Sequence, residues 1–240
     1  MKNILTFGRN NKTNRQEWLS KTLKKLPSSL RILDAGAGEL QNKKLCEHLN
    51  YVSQDYCQYE GQGNNAGLQT GSWDTSKIDI VCDIVNIPEP DSSFDVILCS
   101  EVFEHLPDAT LAVKEFSRLL KPNGTLIITA PFCSLTHFAP YHFSTGFSRY
   151  WYEHHLTTHN FEIIEITPNG NWFEYIAQEL WRLPRMGKTY SSSIFGWIAF
   201  IFSLPLLFIL AILGGKKDKG SSELLTYGWH VIARRKDEVI

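Results

Sequence analysis

The sequence predicts an α/β protein built on a doubly wound, mostly parallel sheet. Short apolar runs alternate with helically spaced apolar patterns, and the first run ends in a glycine-bearing turn, Asp34-Ala35-Gly36-Ala37-Gly38. Alternation of this kind reads as βαβ units whose helices cover both faces of the sheet.

The elements follow in order. Residues 14–26 place Trp18, Leu19, Leu23 and Leu26 at helical spacing, and Pro27 stops that helix. Leu30–Leu33 is the first strand, followed by a helix over 40–49 and a second strand at Tyr51–Ser53. Ile78–Val81 and Phe94–Leu98 are the third and fourth strands. A helix over 108–120 carries Leu111, Val113, Phe116, Leu119 and Leu120, and Pro122-Asn123-Gly124 turns the chain into a fifth strand, Thr125–Thr129. Phe161–Ile166 is a sixth strand, Trp172–Leu183 a helix, and Tyr227–Ala233 the last strand. Between Tyr56 and Lys77, where a crossover helix is due, Gly61, Gly63, Gly67 and Gly71 interrupt a stretch without helical period. It reads as a long loop, and long loops in compact domains are often functional.

Composition narrows the function classes. The chain has 240 residues, 43 % hydrophobic and 20 % charged, which excludes wholesale disorder. Its 24 Lys+Arg against 25 Asp+Glu leave a net charge of -1, so no footprint for nucleic acid is present. Five scattered cysteines, at 46, 57, 82, 99 and 133, suit a reducing cytosol better than a disulfide framework. The first residues lack an apolar run long enough for a signal peptide. One domain over residues 1–240 is expected, with an apolar insertion at 184–220.

In open α/β sheets ligands lie beyond the carboxyl ends of the strands, where strand order reverses. The chemistry-bearing residues here fall at those ends. Gly36 and Gly38 let backbone approach a ligand, and Asp55 ends strand two about 20 residues after that turn, the spacing of a ribose-binding carboxylate. Cys82-Asp83-Ile84 ends strand three and Ser100-Glu101 strand four. One edge carrying all of these reads as a nucleoside site. A dinucleotide fingerprint needs a third glycine where Gln41 stands.

With these residues the sequence resembles the class I S-adenosylmethionine-dependent methyltransferases, over Leu30 to Ile166 and again near Tyr227–Arg234. The motifs are LDAGAGE (33–39), Asp55, CDI (82–84), SFDVILCSEVFEHL (93–106) and LLKPNGTLIITAP (119–131). The resemblance implies a seven-stranded, Rossmann-like sheet whose last strand is antiparallel, with S-adenosylmethionine as cofactor. It implies that Gly36 and Gly38 face the methionine part and that Asp34 holds its amino group. Asp55 would take the ribose hydroxyls, Asp83 the adenine amino group with Ile84 on the ring, and Ser100 and Glu101 the floor of the pocket. Leu40 departs from the glycine many members carry, and the loop over 57–77 replaces their second helix.

The acceptor side is expected in Phe132–His155, rich in aromatic residues and histidine. Its aromatic residues after Gly146 read as core. His137 or His142 is the preferred general base, with His105 the alternative, because imidazole titrates near neutrality. No metal site is expected: neither His137/His142 nor His154/His155 has i, i+4 spacing, and no cysteine completes a set.

Ile194–Gly214 carries no charge and is flanked by Arg182, Arg185 and Lys188 before and by Lys216, Lys217 and Lys219 after. It meets the length of about 20 residues that crosses a bilayer. If Tyr227–Ala233 returns to the same sheet, both ends of the run stay on one side. An in-plane or re-entrant anchor kinked near Pro205 is therefore expected, on the cytoplasmic membrane face, although such a run also suits a buried helix or a protein interface. The function expected is methyl transfer to a small-molecule or saccharide acceptor, a sugar or lipid-linked saccharide among the candidates; the competing expectation is a non-catalytic cofactor-binding module that recruits partners through the apolar run.

Overall fold

The computed structural model describes residues 6–215 and 217–237; Lys216, one of the flanking lysines, lies outside the described residues. The chain divides into two compact units, one of residues 18–167 and 228–240 and the other of residues 1–17 and 168–227.

The first unit carries most of the sheet. Its strands are β1 (Arg31–Ala35), β2 (Asn50–Asp55), β3 (Ile80–Val81), β4 (Phe94–Ser100), β5 (Leu120–Pro131), β6 (Phe161–Asn169, whose last two residues belong to the other unit) and β7 (Gly228–Arg235). They are ordered β3-β2-β1-β4-β5-β7-β6. The pairs β1–β2, β2–β3, β1–β4 and β4–β5 are parallel, and β7 runs antiparallel to β5. Strand order thus reverses between β1 and β4.

Alternate side chains of each strand point to opposite faces, so the buried residues sort themselves. Ile32, Val96, Leu98 and Ile127 pack with Leu19, Leu23 and Cys46 on one face. Leu33, Ile97, Cys99, Leu126 and Ile128 pack on the other, with Ala112, Val113, Phe116 and Leu119 of α2 (Ala109–Leu119) and Tyr152 and Leu156 of α3 (Arg149–Thr158). Asp108 caps α2 by accepting from the Thr110 N–H at 2.8 Å. Asp95, in the Phe94-Asp95 motif, is structural: it accepts from the Arg31 N–H at 2.9 Å and from Lys121 Nζ at 2.7 Å, tying the starts of β1, β4 and β5 together.

Two expected elements change. In place of a helix over 40–49 stands one 3-10 turn, Lys43–Cys46, preceded by Leu40 at φ 60°, left-handed backbone that keeps this residue out of any helix. Pro122-Asn123-Gly124 does not precede a separate strand. It forms an irregularity inside β5, whose pairing steps from Phe94↔Leu120 to Val96↔Thr125.

The second unit contains a helical hairpin. The expected helix over 172–183 is longer, α4 (Trp172–Tyr190), and passes through Pro184; α5 (Ser193–Leu213) follows after Ser191 and Ser192. Gly187 and Gly196 bring the helices together: a Cβ on Gly187 would sit 2.6 Å from the Gly196 Cα. Leu207 and Leu210 of α5 bury against Phe7 and Ala177. Asn171 caps α4 through the Glu174 N–H, and its amide donates to the Gly214 carbonyl at 2.9 Å. Helix α5 runs unbroken through Pro205. Its exposure excludes a buried core helix: Ile194, Phe195, Trp197, Ile201 and Phe202 are each more than half exposed within this chain, Phe202 by 81 %.

Candidate active site

The carboxyl ends of β3, β2, β1, β4 and β5 lie side by side. The register pairs Asp55 with Val81, Ala35 with Gln54, Asp34 with Leu98 and Ser100 with Thr129. Asp34, Gly36, Gly38, Asp55, Asp83, Ser100 and Glu101 therefore come to one edge, at the point of strand reversal, where such sheets take ligands.

The turn after β1 is held by β2. The N–H groups of Gly36 and Ala37 both donate to the Gln54 carbonyl at 2.9 Å, and the Gly38 N–H donates to Asp55 Oδ2 at 2.9 Å. Gly36 must be glycine: its φ is 76°, and a Cβ would sit 2.4 Å from Cγ2 of Val102. Gly38, at φ 52°, lies under the Trp73 ring, 2.6 Å from where its Cβ would be. The other Asp55 oxygen accepts from the Cys57 N–H at 2.8 Å, so this carboxylate joins the glycine turn to the following loop. A carboxylate has about four lone-pair sites, which leaves room for two hydroxyl donors.

Asp34 is 1 % exposed and accepts from the Tyr51 hydroxyl at 2.7 Å. Burial raises its pKa from 3.8 to about 6, against the opposing pull of the Tyr51 and Asn42 hydrogen bonds. Asp83 is exposed and receives the Val85 N–H at 3.2 Å, while Ile84 beside it is buried. Ser100 Oγ lies 2.8 Å from Thr129 Oγ1, which donates to Glu101 Oε1 at 3.1 Å; Glu101 itself sits at φ 58°.

The acceptor-side histidines also converge. His105 ends the 3-10 turn Phe103–His105 after β4, and His137 and His142 lie on the loop after β5. Ring centroids are 4.7 Å apart for His105–His137 and 4.9 Å for His137–His142. Desolvation lowers the His105 pKa to about 4 and moves that of His142 in the same direction. Glu104, 1 % exposed, puts Oε1 3.8 Å from Nε2 of both His105 and His137. Of the aromatic residues after Gly146, Phe147 and Tyr152 are core and Trp151 packs against it, while Tyr150 is exposed.

Sequence reasoning missed Tyr59 and Trp73. Both rings meet Phe138: Tyr59 stacks on it at 4.5 Å and Trp73 meets its edge at 5.2 Å. The available signal was the presence of aromatic residues in an otherwise glycine-rich, polar loop.

Comparison with known proteins agrees with this geometry. Residues 33–128 match a family described as a methyltransferase domain. A ubiquinone biosynthesis O-methyltransferase of Bradyrhizobium diazoefficiens is 31 % identical over 102 residues, covering 42 % of this chain and 39 % of that protein. The chain thus spans about two fifths of the length of curated relatives such as this one. Phosphoethanolamine N-methyltransferase 2 of Haemonchus contortus, solved with S-adenosyl-L-methionine, superposes with TM-score 0.52 at 15 % identity, over 94 % of this chain and 53 % of that one. A geranyl diphosphate methyltransferase solved with GPP and sinefungin superposes with TM-score 0.53 at 13 % identity, over 93 % and 77 %. At those identities the likeness is one of fold. With the motifs in place at the ends of a seven-stranded sheet, residues 33–128 match a methyltransferase domain, and the sheet has the fold of S-adenosylmethionine-dependent methyltransferases.

Proposed function

We propose that this protein transfers a methyl group from S-adenosylmethionine to an acceptor at the cytoplasmic face of a membrane, a sugar or lipid-linked saccharide being the class put to the test. The observation that carries the methyl-transfer part is the convergence of Asp34, Gly36, Gly38, Asp55 and Asp83 on one sheet edge. Asp34 would face the cofactor's ammonium, Asp55 its ribose hydroxyls, and Asp83 with Ile84 its adenine; Ser100 and Glu101 lie between these and β5. The cofactor supplies an electrophilic methyl on a sulfonium. The chain's task is to align the acceptor and take its proton. His137 or His142, on the loop after β5, would take that proton; desolvation lowers the pKa of His105 to about 4 and moves that of His142 in the same direction.

The membrane part rests on α5, whose exposed surface is apolar on every side not covered by α4. Insertion across the bilayer would take the second half of α4 along, with Arg182, Arg185 and Lys188, at about 2.5–3.5 kcal/mol for each charge at the bilayer centre. Lying in plane, α5 meets lipid and those charges stay in water or against anionic headgroups. The insertion at 184–220 is thus read as a monotopic anchor.

Methyl-labelled cofactor incubated with the protein and a membrane lipid extract should label the organic-soluble fraction, and Asp55→Ala should abolish labelling. Tight cofactor binding with no label in any envelope fraction would favour a non-catalytic binding module. Separately, the protein should float with vesicles containing anionic lipid, and the double variant Trp197→Asp/Phe202→Asp should not; equal behaviour of the two would refute the anchor.

A further inference from the structure

The three imidazoles beside the cofactor edge have a feature that a proton acceptor does not need. Nδ1 of His105 lies 2.5 Å from the Tyr141 carbonyl, and Nδ1 of His137 lies 2.8 Å from the Leu135 carbonyl. A carbonyl can only accept, so in each ring Nδ1 carries a proton, and in the neutral ring Nε2 presents a lone pair. Those two Nε2 atoms both face Glu104 Oε1, each at 3.8 Å. His142 completes the group: both of its ring nitrogens are shielded from solvent, and neither has a hydrogen-bond partner among the described residues. One ligating atom from each of the three rings falls within 4.8 Å of the others. Lone pairs of two imidazoles and a buried carboxylate are thus gathered beside a third imidazole, an arrangement that a cation stabilises.

We propose that His105, His137 and His142 bind a first-row divalent transition-metal ion, with Glu104 beside it as a fourth ligand or as the charge that balances it. Three neutral imidazoles and a carboxylate are the donor set of zinc, cobalt and ferrous sites, not of magnesium or calcium, which want oxygen. The backbone carbonyls on both Nδ1 atoms are the outer partners that fix ring orientation in such sites. A tetrahedral ion with bonds near 2.0–2.1 Å needs nitrogens about 3.4 Å apart, so rings whose ligating atoms lie within 4.8 Å of one another must close by about 1 Å, a movement that breaks no hydrogen bond of the His142 ring among the described residues. The i, i+4 rule overlooks this set because its members come from two separate segments. The inference rests on the acceptor-site reading above and changes one part of it: with the ion in place the imidazoles would be ligands and not bases, an acceptor hydroxyl would bind the ion through its oxygen, and its proton, made more acidic by the ion, would pass to water.

The test uses the full chain, stripped with a chelator and titrated with Zn²⁺ or Co²⁺ alone. One equivalent should bind, Co²⁺ should give the intense visible bands of a four- or five-coordinate site, and His137→Ala and His142→Ala should each weaken binding by on the order of 100-fold or more. Cofactor titration of the same variants should be unchanged within a few-fold, which shows that they are folded. Absence of stoichiometric binding to wild type, or binding that both variants retain, overturns the proposal. Failure of the methyltransfer reading would appear elsewhere, as loss of cofactor binding by wild type itself.

Discussion

Asp34 offers a direct measure of how the site is prepared for its ligand. Its pKa stands at about 6 in the folded chain against 3.8 when solvated, because burial penalises the carboxylate more than Tyr51 and Asn42 favour it. Between those values the folded state holds a proton that the unfolded state has released. Stability therefore falls as pH rises from 4 to 7, and the upward shift of about 2 units corresponds to about 3 kcal/mol. Asp34→Asn keeps an oxygen for the Tyr51 hydroxyl but removes the charge. Relative to this variant, wild type should lose about 3 kcal/mol over that interval, read by urea unfolding at pH 4, 5, 6 and 7. Parallel curves would refute the reasoning. The same logic extends to the ligand: an ammonium beside Asp34 favours the carboxylate, so cofactor binding should tighten as pH rises towards 6 and release a proton below it. That release is measurable by calorimetry in two buffers of different ionisation enthalpy.

Two further outcomes follow from close contacts. Gly36→Ala forces a Cβ into Val102 at a left-handed φ, which costs about 1–2 kcal/mol for the conformation alone; thermal unfolding should show a loss of at least that size, and calorimetry no cofactor binding. Asp95→Ala leaves the buried end of β1 without the acceptor for the Arg31 N–H and frees Lys121, so urea unfolding should show a loss of about 1–3 kcal/mol with cofactor affinity kept.

Much of this was legible in the sequence because strands and turns are local. The apolar runs at Leu30, Phe94 and Thr125 and the acidic residues that follow them carry their own period and punctuation, and the parallel register then aligns their ends without further information. The apolar run of α5 was legible by composition alone. What failed was what depends on backbone strain or distant partners. Periodicity over 40–49 cannot show that Leu40 takes φ 60°, and Pro122-Asn123-Gly124 reads as a turn whether it ends a strand or bulges within one. Trp73 finds Gly38, and His105 finds His137, only once separate segments have folded onto one edge.

The glycine-rich loop shows why a helix was given up at that place. A helix satisfies its own backbone groups and has none to share. The loop over 57–77 instead pairs backbone to backbone with the segment after β5: the Leu68 N–H donates to the Thr136 carbonyl at 2.9 Å, the Phe138 N–H donates to the Leu68 carbonyl at 3.0 Å, and the Asn64 N–H donates to the Ala139 carbonyl at 3.0 Å. Glycine is what allows the approach, since a Cβ on Gly67 would lie 2.4 Å from the Thr136 oxygen. These bonds flank His137 on both sides, and the stack Tyr59–Phe138–His105, at 4.5 and 5.1 Å, continues from the loop to a second imidazole. The histidines thus sit on loops, yet their backbone is held as a strand's would be. A loop in place of a crossover helix thus serves as a brace for the segment that carries His137 and Phe138.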